Sequence, residues 1–176
     1  MFMRLIGLLV YLSVLSCGRP QRTDFCNSLP NQLVVELKRY SILSEGVVVD
    51  PVIPRCPRSS YFLKDSISFG NYYNQLLIYS YEDFSASTDT IFDQMNETER
   101  NEMVQLAKQF YQQGVMYAEY SFGYECNVFR LPRPDDTTRS MFLALTDTEN
   151  VLISPEHIQL LCAGPDFFCF TQPPYQ

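Results

Sequence analysis

The stretch Val115–Phe129, VMYAEYSFGYECNVF, decides how the chain is read. Its even positions, Met116, Ala118, Tyr120, Phe122, Tyr124, Cys126 and Val128, form a nearly unbroken apolar and aromatic row. Its odd positions include Glu119, Ser121, Gly123, Glu125 and Asn127. Side chains two apart share one face of a strand, so the pattern predicts a half-buried strand or hairpin with one wet face. Unbroken, it would run about 50 Å at ~3.3 Å per residue. That exceeds ordinary strand lengths and puts a bulge or bend at Gly123. A cysteine on the buried row adds the expectation of a disulfide staple, and so long an aromatic strand calls for a sheet that curls around it.

Outward from this stretch, other segments repeat the two-residue period. Tyr61, Leu63, Ile67 and Phe69 are apolar, while Lys64, Ser66 and Ser68 are polar; Asp65-Ser66 marks a turn or bulge, and Gly70-Asn71 ends the run in turn chemistry. Gln75–Tyr81, QLLIYSY, is apolar nearly throughout and reads as a central strand. Thr90-Ile91-Phe92 and Met141–Thr146 are further strand candidates, and Val47-Val48-Val49 is β-branched but short. Two segments are ambiguous. Leu33, Leu37 and Tyr40 fit a helical face, yet Leu33, Val35 and Leu37 alternate. Residues 97–113 open with Asn96 and Glu99 in helix-start spacing and close before Gly114, which predicts a helix, although Val104, Leu106 and Phe110 also alternate. Ser154-Pro155-Glu156-His157 is a helix start, with the helix running to about Leu161 or Cys162 and His157 on its surface or packed against it.

Composition narrows the function classes. Net charge is −7 over 176 residues, which argues against nucleic acid or an anionic membrane as partner. Residues 1–16 read as a signal peptide: Arg4, an apolar Leu5–Leu15, then Ser16 or Gly18 for cleavage. A lipobox-like Val14-Leu15-Ser16-Cys17 is the competing reading of the same residues. Export would leave residues 17–176 as one secreted, extracellular domain without an integral membrane segment. Asn96-Glu97-Thr98 is then an N-glycosylation acceptor. Cys17, Cys26, Cys56, Cys126, Cys162 and Cys169 are scattered through the chain, as in a disulfide framework; one His and no Cys-x-x-Cys pair speak against zinc. No phosphate loop, nucleophile elbow or metal box is present, so neither enzyme activity nor a cofactor is expected.

Three separated stretches resemble the lipocalin family, most nearly its apolipoprotein D type. They are Arg55-Cys56 with Tyr61-x-Leu63 and Ile67-x-Phe69-x-Asn71; Tyr117-x-x-Tyr120-x-x-x-Tyr124-x-Cys126; and Phe142-Leu143-Ala144-Leu145 followed by Ser154-Pro155-Glu156. The chain departs from the family where a Gly-x-Trp would fall near Gln32-Leu33-Val34, where Thr-Asp is replaced by Val115-Met116, and where an Arg is missing near Thr146 or Asp147. In the family that Arg stacks on that Trp, a contact of roughly 0.5–2 kcal/mol, so losing both together is coherent. The resemblance implies a mostly β fold, a single up-and-down antiparallel eight-stranded barrel with a short helix packed outside. It would convert residues 33–40 and part of 103–112 into strands.

The resemblance further implies a secreted carrier of a small hydrophobic ligand of the fatty acid, retinoid or steroid class, with a cell-surface receptor as a further partner. Tyr61, Leu63, Phe69, Tyr120, Phe122, Tyr124 and Phe142 would line the cavity. Cys56 would pair with Cys169 first and Cys162 second, and Cys126 with Cys17 or Cys26. Asp65, Asp83 and Glu119 would recognise a cationic amine if one pointed inward, and otherwise read as solvated residues. A second reading competes: a secreted, disulfide-bonded α+β protein with a filled core, acting through surface contacts with a protein partner. Helices at 31–43 and 97–113 and no cavity would favour it.

Overall fold

A computed structural model describes residues 29–50, 52, 56–122, 124–146 and 159–171. Helix α1 (Asn31–Ser44) precedes three strands, β1 (Ser59–Phe62), β2 (Ser66–Gly70) and β3 (Leu76–Ser80). Next come α2 (Tyr81–Ala86), a 3-10 turn at Thr90–Phe92 and α3 (Glu97–Gln112). Five strands follow: β4 (Tyr117–Ser121), β5 (Cys126–Pro132), β6 (Ser140–Ala144), β7 (Gln159–Ala163) and β8 (Phe168–Thr171). All pairings are antiparallel, in the order β3-β2-β1-β4-β5-β6-β8-β7.

Eight antiparallel strands are as expected, but they do not close. β3 and β7 end the sheet on opposite sides without pairing to each other, so the barrel is replaced by an open sheet. The reason lies in the two ambiguous segments. Both are helices, and both lay an apolar stripe on one face of the sheet. In α1 that stripe is Leu33, Leu37, Tyr40 and Leu43, at helical spacing. In α3 it is Met103, Val104, Leu106, Ala107 and Phe110. The α3 start is fixed by a capping box: Asn96 Oδ1 accepts from the Glu99 N–H at 3.0 Å, and Glu99 Oε2 accepts from the Asn96 N–H at 2.9 Å. In α3 local capping and helix-favouring composition therefore outweigh the alternation that would make a strand; α1 has no side-chain cap and is set by its buried stripe.

The space between helices and sheet is filled with rings. Tyr40 is fully buried and meets Phe62, Phe110 and Phe129 edge-on, with centroids 5.1, 5.6 and 6.0 Å apart. Phe69, Tyr79, Phe84 and Phe92 make a second ring group, with Phe84 and Phe92 centroids 4.8 Å apart. Each buried ring of this kind contributes about 1.5–3 kcal/mol of transfer free energy. Across the helices, Arg39 donates to both Glu102 carboxylate oxygens at 2.7 and 2.6 Å, and Lys38 reaches Asp166 in the β7–β8 turn at 2.6 Å.

Several local expectations need correction. QLLIYSY holds an edge strand rather than a central one. Thr90–Phe92 is a 3-10 turn, and residues 47–49 form no strand. Residues 159–163, expected to end a helix, are strand β7; the Ser154–His157 helix start lies outside the described residues, as do the signal segment, Cys17 and Cys26. The Val115–Phe129 stretch is a hairpin, and its even row is split. Tyr117 pairs with Arg130 and Ala118 with Phe129, so an even residue always faces an odd one across the ladder. Directly paired side chains share a face. Ala118 and Tyr120 thus point to the helices, while Cys126 and Val128 point away from them.

Candidate functional site

The face of the sheet turned away from the helices divides into two unlike halves. In the β5-β6-β8 half, Val128, Ala144, Phe168 and Phe170 are buried together with Tyr124, and Cys126 and Phe142 pack against them. Phe142 and Phe168 each stack on Phe170, with centroids 5.5 and 5.4 Å apart. Arg130, paired with Tyr117 on one side and Phe142 on the other, marks the boundary. Beyond it, in the β4-β1-β2-β3 half, the same face is open.

There the register builds a shallow trough. Its floor is β2, which presents Ser66, Ser68 and Gly70 to this face. Ser68 lies between Tyr61 of β1 and Ile78 of β3, and Gly70 between Ser59 and Leu76. A Cβ at Gly70 would collide with Ser59 Oγ and lie 3.1 Å from Leu76 Cδ2, so side chains of both neighbouring strands lean over the floor. Ser68 is only 2% exposed, and its Oγ has no hydrogen-bond partner. The walls are apolar and wet: Ile78 is 64% exposed, Leu76 53% and Tyr61 38%. Tyr61 leans on Tyr117, with ring centroids 5.7 Å apart. Burial, and then the neighbouring Glu119, push the Tyr117 phenol up.

The loops hold this half in place. Asp50 is fully buried and accepts from the backbone N–H groups of Val52 at 2.9 Å and Tyr72 at 3.0 Å, tying the chain before β1 to the β2–β3 turn. In that turn Asn71 Oδ1 accepts from the Tyr73 and Gln75 N–H groups, both at 3.0 Å, and Asn74 takes a positive φ of 58°. Arg58 sits 4.8 Å from the centre of the Tyr72 ring.

A separate cleft of about 630 Å³ opens where β3 meets α2 and α3, lined by Lys64, Asp65, Ser80, Tyr81, Glu82, Lys108, Tyr111 and Gln112. Lys108 Nζ lies 5.0 Å from the Tyr81 ring centre. The Tyr81 hydroxyl donates to the Leu63 carbonyl, and burial, with the charge of Asp65, pushes its pKa up to about 12. The cleft is open and charged with both signs, unlike the apolar container expected for a lipid.

The residues expected to line one cavity are dispersed. Phe69 is fully buried on the helix side. Tyr120 is also on that side, 5.4 Å from the exposed Phe122 ring. Tyr61 belongs to the open trough, Tyr124 and Phe142 to the covered half, and Leu63 is exposed at the β1–β2 turn. Asp65, Asp83 and Glu119 are exposed. Asn96 is exposed at the α3 cap. Cys56, Cys126 and Cys169 are free thiols, and the Cys56–Cys169 pairing is not formed; Cys162, opposite Cys169 across β7 and β8, is engaged rather than free. Burial pushes the Cys56 and Cys126 thiols up to about 11 and Cys169 to about 12, which keeps them protonated and poorly nucleophilic at neutral pH. Among the described residues no cluster of His, Cys, Asp and Glu is arranged to hold a metal ion, and no helix is long and apolar enough to cross a membrane.

No family model, curated protein or solved structure matches the chain. Sequence reasoning missed Leu76, Ile78, Tyr117 and Ser68 as site residues. The available signal was QLLIYSY itself, which is apolar on both alternations: such a strand is either covered on both faces or exposes one apolar face.

Proposed function

We propose that the chain is exported and acts through its surface, binding a protein partner at the trough between Tyr61, Tyr117, Ile78 and Leu76. One observation carries this reading. A contiguous apolar and tyrosine-rich patch is wet on the same face whose other half buries its rings. Exposed apolar patches of this kind are characteristic of interaction sites. Tyrosines supply rigid contact area with a polar tip, and the exposed Ile78 and Leu76 supply the apolar area beside them. The filled core and the helices over 31–44 and 97–112 support this reading over carriage in a barrel.

The test joins two measurements on the secreted protein. A photo-crosslinking amino acid at position 61 should capture a discrete protein species from the native extracellular fluid, and Tyr117→Ser should abolish that capture. Native mass spectrometry of the same preparation should show the mass of the chain without a lipophilic passenger. A bound lipophile together with no position-specific crosslink would return the function to small-molecule carriage.

A further inference from the structure

The two edges of the sheet are built differently. β7 carries a register irregularity between Leu160 and Cys162, a bulge of the kind that blunts an edge. β3 has none. Its register with β2 runs unbroken from Gly70–Leu76 to Ser66–Ser80, and its sequence, LLIYS, contains no charge and no proline. The Asn71 N–H donates to the Gln75 carbonyl at 3.1 Å. Hydrogen-bonded pairs alternate along an antiparallel ladder. Leu77 and Tyr79 therefore direct their backbone groups to β2, while Leu76 and Ile78 direct theirs outward, where no described residue pairs with them. The same two residues hold exposed side chains.

We propose that β3 pairs antiparallel with β3 of a second copy of this chain, joining two eight-stranded sheets into one continuous sheet. The strand is self-complementary. A two-fold axis through Ile78 sets the outward backbone groups of Ile78 against those of Ile78 of the second copy, and sets Leu76 opposite Ser80. Further out, the acidic first turn of α2, Glu82 and Asp83, falls opposite the uncharged Tyr73-Asn74 end, so no like charges oppose each other along the join. Lys64 and Asp65 lie in the β1–β2 turn beside the Ser80 end, and Asp89 is held by the Tyr79 hydroxyl at 3.0 Å. Pairing also brings the Leu76 and Ile78 rows of two copies together and extends the trough across the axis. The proposal rests on the backbone edge and goes beyond the partner-binding reading.

The experiment is sedimentation of the purified full chain over a wide concentration range, with three variants. The wild type should pass from the mass of one chain to that of two. Because each chain carries −7, association should strengthen as salt is raised from low ionic strength. Ile78→Lys should weaken dimerisation at least about tenfold, since like charges would then face each other across the axis, with far-UV circular dichroism unchanged. Ile78→Cys should form a covalent dimer on mild oxidation, because hydrogen-bonded partners bring their Cα atoms to about 5.5 Å, within disulfide reach. Val35→Cys, exposed on α1, should not. A wild type that stays monomeric throughout, a dimer indifferent to Ile78→Lys, or equal cross-linking from positions 35 and 78 would overturn the proposal. Tyr117→Ser, which tests partner binding, should leave the dimer intact, so the two ideas fail separately.

Discussion

The covered and open halves of the outer sheet face differ less in hydrophobicity than in what finishes each ring. The covered half stacks Phe142, Phe168 and Phe170, rings without a polar tip, face to face, with the buried tyrosine Tyr124 against them. The open half uses the exposed Tyr61 and the partly exposed Tyr117, rings that carry a hydroxyl and lean on each other. Solvation thus accounts for the tyrosines. It does not account for Ile78 and Leu76, more than half exposed with nothing polar to offer. One face is therefore core at one end and exposed apolar surface at the other, and the aliphatic residues at the edge tell the two apart.

The largest effect should come from swapping the loss between halves. Phe168→Ala should lower the unfolding free energy by about 3–5 kcal/mol, whereas Tyr61→Ala should change it by no more than about 0.5 kcal/mol, both read from urea denaturation. Equal losses would erase the distinction. Next is Asp50→Ala, which strips the Val52 and Tyr72 N–H groups of their acceptor and should cost about 1–3 kcal/mol. Its signature is local: amide exchange at Leu77 and Tyr79 should speed up while β6 is unchanged, showing that the open half is held by its loops.

Removing the α3 cap with Asn96→Ala, in unglycosylated protein, should cost about 1 kcal/mol. Because α3 lies on the helix side, crosslinking from position 61 should survive, separating the patch from its support. The smallest effect belongs to Glu102→Gln. Both partners of the Arg39–Glu102 pair are more than a third exposed, so the loss should stay below about 1 kcal/mol. The hydrogen bonds from Arg39 hold the Glu102 carboxyl below its ordinary value. A depressed carboxylate contributes stability that is present above its unfolded pKa and lost as pH falls through the folded value. The gap between wild type and variant, followed by thermal melts, should therefore be open at neutral pH and close in acid.

Much of the strand content was legible because alternation is local: Tyr61, Ile67 and Phe69 announce β1 and β2, and Met141 and Leu143 announce β6. The helix at 97–112 is legible too, through Asn96 and Glu99, whose local capping signal is stronger evidence than the alternation of Val104, Leu106 and Phe110. Strand order was not legible, since nothing in QLLIYSY distinguishes a strand covered on both faces from one at an edge. Neither was the site. Ile78 is exposed because β3 ends the sheet and its outer face is uncovered, and Ser68 becomes a floor because Tyr61 and Ile78 flank it in register.

The Val115–Phe129 hairpin limits how the chain tolerates insertions and deletions. Between Ser121 and Cys126 the turn residues set which parity of β5 faces the helices, and Glu125 closes the turn with a φ of 53°. Loss of a single codon there would rotate β5 by one residue. Phe129 and Leu131 would be turned out to the other face, about 1.5–3 kcal/mol each of lost burial, and Arg130 would be driven under α1. Surface turns usually absorb changes of length; this one does not, because its length is a parity bit for the whole core beneath it.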